Sequence, residues 1–283
     1  MIIKPYHEGI EPDGVISGMP DTVYHATDGF ISSSGLSVFN RSPAHYKYGA
    51  PKEKTRNMAL GSALHCALLE PDIFKRDYMK LDGVKGRQAA AWKQAIKHRD
   101  EDYTLTEPES DYIALMQESV YAHQRASVIL NTAKEKELSV FTQCPTTGVN
   151  VRVRIDILGG GSESGYAFDV KTTRDARDQA FSRSINDYRY HVQAALYMDA
   201  WEWETGEKLD GFKIVCVESD MPCSVMVYEL DDIAIMLGRK AYQQDLINYA
   251  ECLNTGNWGH YNDGTEDGLI SLPEWVLRNE LGE

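Results

Sequence analysis

The sequence predicts a single α/β domain, a mixed central sheet flanked by helices, with a helical elaboration ahead of it. Two observations carry that expectation. The apolar residues recur at a helical period of about 3.6 before Lys136 and at a strand period of about 2 from there on. The later segments then run three strands, a helix, two strands and a helix, an order that builds a sheet with helices against it. The 283 residues, 42% hydrophobic and 25% charged, suffice to bury a substantial core, and no apolar run approaches the roughly 18 residues that a membrane span needs.

Taken in order, residues 1–29 are rich in Gly, Pro and Asp and are expected to be loosely ordered, so the folded domain is placed at 30–283. "SSSGLSVFNRSPAHYKY" reads as two short helices, with Ser34 as an N-cap and Pro43 in the first turn of the second. "NMALGSALHCALLEP" follows as a helix stopped by Pro71, its Gly61, Ser62 and Ala63 allowing a neighbour to approach closely. Lys80 to Arg99 is the most basic stretch, with six Lys or Arg against the single acid Asp82. It reads equally as a solvated helix surface and as a phosphate-binding patch. "TEPESDYIALMQESVYAHQRASVIL" opens with a capping box, Thr106 with Glu109, and carries Tyr112, Leu115, Met116, Ser119 and Val120 at helical spacing.

"ELSVFTQ" and "VNVRVRIDIL" alternate apolar and polar residues around the turn-like "CPTTG" and form a hairpin, and "YAFDVKTT" makes the third strand. A helix over "DYRYHVQAALYMDAWEWETG" ends near Gly206, the strands "GFKIVCVES" and "CSVMVYELD" follow, and a long helix closes near Gly256.

The net charge of −14 argues against nucleic acid as a partner, although a groove needs only a few well-placed Lys and Arg on an acidic body. Five scattered cysteines, none in CxxC spacing, argue against a disulfide framework, a zinc ribbon or an iron-sulfur cluster. The N-terminus lacks a long apolar stretch with a small-residue cleavage site, so a cytoplasmic protein is expected.

The chemistry lies in the hairpin and the third strand. Alternation puts Val151, Val153 and Ile155 on one face and Arg152, Arg154 and Asp156 on the other, then Phe168, Val170 and Thr172 inside with Asp169, Lys171 and Thr173 outside. If the strands pair, the two acids share a face. Two carboxylates within about 4 Å repel by roughly 1–4 kcal/mol unless a cation compensates. A hard divalent ion such as Mg²⁺ fits oxygen ligands and takes phosphate oxygens as further ones, and a nearby lysine can then activate water. Phosphodiester hydrolysis is the reaction such a site supports. The plainer reading of D-x-K alone is the solvated face of a strand.

"RID" followed by "FDVKTT", with "GSALHCALLEP" upstream and "HVQAALYMDAW" downstream, resembles the PD-(D/E)XK nuclease superfamily. Within it the chain is similar to the RecE (exonuclease VIII) type of phage recombination exonuclease, from about Ile31 to "LPEWVL". The resemblance implies a restriction-endonuclease-like core. It also implies Asp156 and Asp169 as metal-binding acids, His65 and the Val170 backbone carbonyl as further ligands, and Lys171 as the catalytic lysine. Gln193 and Tyr197 match a Q-x-x-x-Y helix beside the site; with Arg152 and Arg154 they are the expected substrate-binding residues. Here "PD" is written Ile155-Asp156.

The implied activity is an exodeoxyribonuclease that uses Mg²⁺, with Mn²⁺ as the alternative ion, and degrades linear double-stranded DNA 5′→3′. It would leave 3′ single-stranded tails, work with a RecT-like annealing protein and assemble as a ring-shaped homo-oligomer, typically a tetramer. A channel lined by Arg152, Arg154 and the Lys80–Arg99 stretch would then answer the charge objection. The alternatives are an inactive DNA-binding or assembly protein on the same fold, and a Cas4-like or endonuclease relative; no cysteine set for a Cas4-like cluster is present.

Overall fold

The computed structural model describes residues 2–50, 53–261, 267–274 and 276. Nine strands are seen among them: β1 (Ile3–Pro5), β2 (Gly14–Ser17), β3 (Met79–Leu81), β4 (Thr104–Thr106), β5 (Glu135–Gln143), β6 (Asn150–Leu158), β7 (Tyr166–Thr173), β8 (Gly211–Glu218) and β9 (Val225–Glu229). The helices are α1 (Asp21–Ala26), α2 (Ser33–Arg41), α3 (Pro43–Tyr48), α4 (Arg56–Leu69), α5 (Pro71–Asp77), α6 (Ala90–Ala95), α7 (Glu107–Ala122), α8 (Gln124–Asn131), α9 (Asp178–Asp187), α10 (Tyr190–Thr205) and α11 (Asp232–Thr255). Seven strands form one mixed sheet in the order β1-β2-β5-β6-β7-β8-β9, and β3 pairs with β4 apart from it. No helix among the described residues is long and apolar enough to cross a membrane.

Helices cover both faces of the sheet, as expected of a sheet flanked by helices, so neither face of β6 and β7 is the open, solvated one that their alternation suggested. Val151, Val153 and Ile155 pack into one core with Leu196 and Trp201 of α10 and Tyr242 of α11. Phe168 and Val170 pack into the other, with Leu64 and Leu68 of α4 and Met116 of α7. The apolar sets of β6 and β7 therefore point in opposite directions. Fully covered strands read as apolar runs, as Ile214 to Val217 does on β8.

The N-terminal segment, expected to be loose, instead adds β1 and β2 to the sheet. β2 pairs antiparallel with β5, covering an edge that the hairpin leaves open. Val15, Ile16 and Met19 are buried. A four-residue strand is too short to show a period, which is why composition misled here. The N-cap of α2 is Ser32 rather than Ser34, its hydroxyl accepting from the Gly35 amide. The helix read over "DYRYHVQ" begins only at Tyr190 and is preceded by α9, a separate helix ending at Asp187. Of the C-terminal "LPEWVL", Trp275 and Leu277 lie outside the described residues.

Both halves of the Thr106–Glu109 capping box are present on α7. Glu109 also takes a bidentate contact from Arg56, at 2.8 Å from Nε and 2.6 Å from Nη2, which ties α4 to α7. Burial alone would raise the Glu109 pKa, but hydrogen bonds from Arg56 and from the Thr106 amide outweigh it and hold it below the ordinary value. A group with a depressed folded pKa stabilises the fold above its unfolded value, about 4.3, and loses that contribution as pH falls through the folded one. Glu109→Gln should therefore cost about 1 kcal/mol at neutral pH. Thermal melts at descending pH should show the deficit closing below about pH 4.3.

Candidate active site

β6 and β7 are paired only at their near ends, Ile157 with Phe168 and Leu158 with Ala167. Beyond those pairs, at Asp156 and Asp169, the ladder stops and the strands part. The Asp156 carboxylate fills the opening, its Oδ2 accepting the Val170 amide at 2.8 Å. A buried amide that lost its ladder partner thus finds a side-chain acceptor. The acids meet at this notch and do not share one face of a paired hairpin.

Helices reach the notch from the two faces of the sheet. From α4, His65 Nε2 lies 2.8 Å from Asp156 Oδ2 and Nδ1 lies 3.2 Å from Glu137 Oε1. Gly61, one turn earlier, faces β7 closely: a Cβ there would stand 3.2 Å from Thr172 Oγ1, a tight contact. From α10, Gln193 Nε2 donates to Asp169 Oδ1 at 2.7 Å. Lys171 Nζ sits 2.5 Å from Asp169 Oδ2 and 5.1 Å from the Tyr190 ring centroid. Asp169 is 2% exposed and Asp156 8%, so these charges are compensated by one another and not by solvent.

Glu137, on β5, is the residue that sequence reasoning missed. It is 6% exposed and has φ of 51°, the left-handed region that non-glycine residues rarely adopt. The pairs Lys136–Ile157 and Leu138–Ile155 flank it, while Glu137 and Asp156 between them are unpaired. The local break turns the Glu137 side chain toward the notch, where Arg154 Nε binds its Oε2 at 2.5 Å. Its Oε1 is buried with no hydrogen bond, only the His65 ring nitrogen 3.2 Å away. The only sequence signal was an acid opening a strand, which is indistinguishable from a solvated strand end.

Three buried carboxylates, Glu137, Asp156 and Asp169, face two fixed cations, Arg154 and Lys171. His65 supplies the balance: burial opposes its charge, but the Asp156 carboxylate, by charge and hydrogen bond, and Glu137 push it up to about 9. Burial, opposed by Lys171, raises Asp169. Burial likewise raises Glu137 against the pull of His65. Burial opposes the charge on Asp156 too, but His65 and Lys171 outweigh it and hold its pKa low.

The donors of His65, Glu137 and Asp156 lie within 4.8 Å of one another. One imidazole and two carboxylates, one with a buried oxygen that has the His65 ring beside it but no hydrogen bond, fit a divalent cation, whose charge would replace the proton on His65. The resemblance places Asp169 and the Val170 carbonyl in the same set. In this structure both Asp169 oxygens are engaged, by Gln193 and Lys171, and at Val170 the amide is what touches the acids.

The other expected substrate contacts change. Arg152 donates to the carbonyls of Tyr24, His25 and Thr27. Arg154 is buried between Glu137 and the Met19 carbonyl. Neither is free to meet a phosphate: a charge inside covered β-structure needs internal partners, and the N-terminal segment provides them. In the basic stretch, Lys80, Lys85 and Arg87 are paired with Asp111, Glu107 and Glu101, leaving Lys93, Lys97 and Arg99, all exposed, outside those ion pairs. Tyr197 packs edge-on to Phe212, centroids 6.2 Å apart, in the core beneath Gln193.

A sheet parting at two acids, with a lysine two residues after the second, defines the restriction-endonuclease-like, PD-(D/E)XK class of fold. The family of PDDEXK-like domains of unknown function (DUF3799) matches residues 32–266, and the chain belongs to it. A crystal structure provisionally described as an exonuclease, from Eubacterium rectale, superposes with a TM-score of 0.57 at 13% identity, over 89% of this chain and 94% of that one. A phage-related exonuclease from Haemophilus somnus gives 0.36 at 10% identity, over 83% and 99%. An alkaline exonuclease from Laribacter hongkongensis gives 0.28 at 12%, over 84% and 97%. The first of these supports the fold. No curated protein matches the chain.

Glu137→Gln keeps the size of the side chain and removes the charge. It should weaken Mn²⁺ binding by at least the roughly 10–100-fold that loss of an outer-shell partner costs, read by calorimetric titration, with the Arg154 contact kept through the amide oxygen.

Proposed function

We propose that the protein is a metal-dependent nuclease that hydrolyses phosphodiester bonds in DNA at the notch between β6 and β7. The observation that carries this reading is the convergence of His65, Glu137, Asp156, Asp169 and Lys171 where the two strands part. His65, Glu137 and Asp156 would hold the cation, with Asp169 and the Val170 carbonyl joining as the resemblance implies. A divalent ion bound there supplies Lewis-acid stabilisation of phosphoryl oxygens and a water of lowered pKa. Lys171 keeps its proton: burial opposes the charge, but Asp169 and Asp156 raise its pKa. Its ammonium therefore orients the attacking water and stabilises charge developing on the phosphoryl group. Gln193 holds Asp169 from the far side and fixes its carboxylate plane.

The resemblance extends the reading to an exonuclease on linear double-stranded DNA that uses Mg²⁺, runs 5′→3′ and leaves 3′ tails. It extends further to recombination in the cytoplasm beside a RecT-like annealing protein, and to a tetrameric ring. Polarity and end dependence are tested together, by duplexes labelled at the 5′ or the 3′ end and by a covalently closed circle. Early release of the 5′ label, with the circle spared, is the expected outcome. Cutting of the circle would make the protein an endonuclease on the same scaffold.

A further inference from the structure

Tyr188 and Tyr190 form a stacked pair beside Lys171, with ring centroids 5.6 Å apart and planes at 27°. Tyr190 is half-buried: Lys171 Nζ lies 5.1 Å from its centroid, and Phe181 packs against it at 6.3 Å. Tyr188 is 67% exposed, and among the described residues Tyr190 is its only ring contact. One of its faces is therefore backed and the other is open.

The backbone is built to make this pair. In a continuous helix, residues two apart do not face each other. Here α9 ends at Asp187, and Arg189 takes the left-handed conformation, φ 58° and ψ 37°. Buried Asp245 anchors its guanidinium at 2.5 Å. A non-glycine residue in that region carries a conformational cost, and the turn it makes brings the two rings together. Arg174, three residues beyond Lys171, and Arg183 on α9 are exposed nearby in the chain. They offer charge for phosphates that Arg152 and Arg154 cannot.

We propose that Tyr188 is a stacking platform for the base of the terminal nucleotide of the strand being cleaved, with Tyr190 as its fixed backing. The inference rests on the nuclease reading of the site. An open, rigidly backed aromatic face accepts any base, because every base presents a π-face. The platform therefore sets where the DNA end lies relative to Lys171 and adds no sequence preference.

The test compares wild type, Tyr188→Leu and Tyr188→Phe on linear duplexes whose 5′-terminal nucleotide is either intact or abasic. Wild type should lose about tenfold in kcat/KM when the base is removed, and Tyr188→Leu should show that loss already on intact DNA with no further loss on the abasic duplex. Tyr188→Phe should behave as wild type. Equal losses in wild type and Tyr188→Leu on removing the base, or full activity of Tyr188→Leu on intact DNA, would overturn the platform. If wild type cleaves nothing, the nuclease reading fails instead, and fluorescence anisotropy with the same duplexes still reports whether base and ring are coupled.

Discussion

Replacing Asp156 with Asn is expected to remove both divalent-cation binding and DNA hydrolysis while leaving the fold in place. Asp156 ties β6 to β7 and to α4: it accepts from His65 and from the Val170 amide and belongs to the cation-binding triad. The carboxamide oxygen of Asn can still accept the Val170 amide, so the parting of β6 and β7 survives. What is lost is the charge. Cation affinity should fall by more than the roughly 10–100-fold typical of outer-shell partners, and melting temperature should change little. Calorimetry with Mn²⁺ beside a thermal melt separates the two effects.

Lys171→Ala should have the opposite signature, with cation binding retained and hydrolysis reduced by about 10²–10⁴-fold. The triad of His65, Glu137 and Asp156 does not include the lysine, whereas Asp169 Oδ2 has it as a counter-ion at 2.5 Å. Lys171→Arg keeps a positive charge beside Asp169, but a planar guanidinium does not reproduce a compact ammonium. It should therefore restore stability more than rate. A Lys171→Ala protein of undiminished activity would place the chemistry elsewhere.

Asp169 and Lys171 stood out in the sequence as a charged pair two apart on an otherwise apolar strand, but D-x-K alone reads more plainly as a solvated face, and it was the resemblance that joined Asp156 and His65 to them. The capping box of α7 and the glycine of α4 that faces β7 closely were legible, since both are local. Glu137 was not legible. Its role depends on a backbone break and on Arg154 two positions before Asp156, a relation across strands that a linear pattern does not hold. Arg152 and Arg154 were misread for the complementary reason: alternation placed them correctly on the face opposite Val151, Val153 and Ile155. It could not show that the N-terminal segment would cover that face and take up their hydrogen bonds. The acids were expected on one face because pairing was assumed to continue, whereas the functional geometry arises where pairing ends.

The most direct test of metal-dependent hydrolysis at this notch starts from metal-stripped protein. Release of acid-soluble nucleotides from linear double-stranded DNA is followed as Mg²⁺ is titrated into wild type and Asp156→Asn in parallel. Expected are no release without metal, a saturable rise for wild type and a flat line for the variant. No release from wild type with either Mg²⁺ or Mn²⁺, or equal release by both proteins, would contradict it.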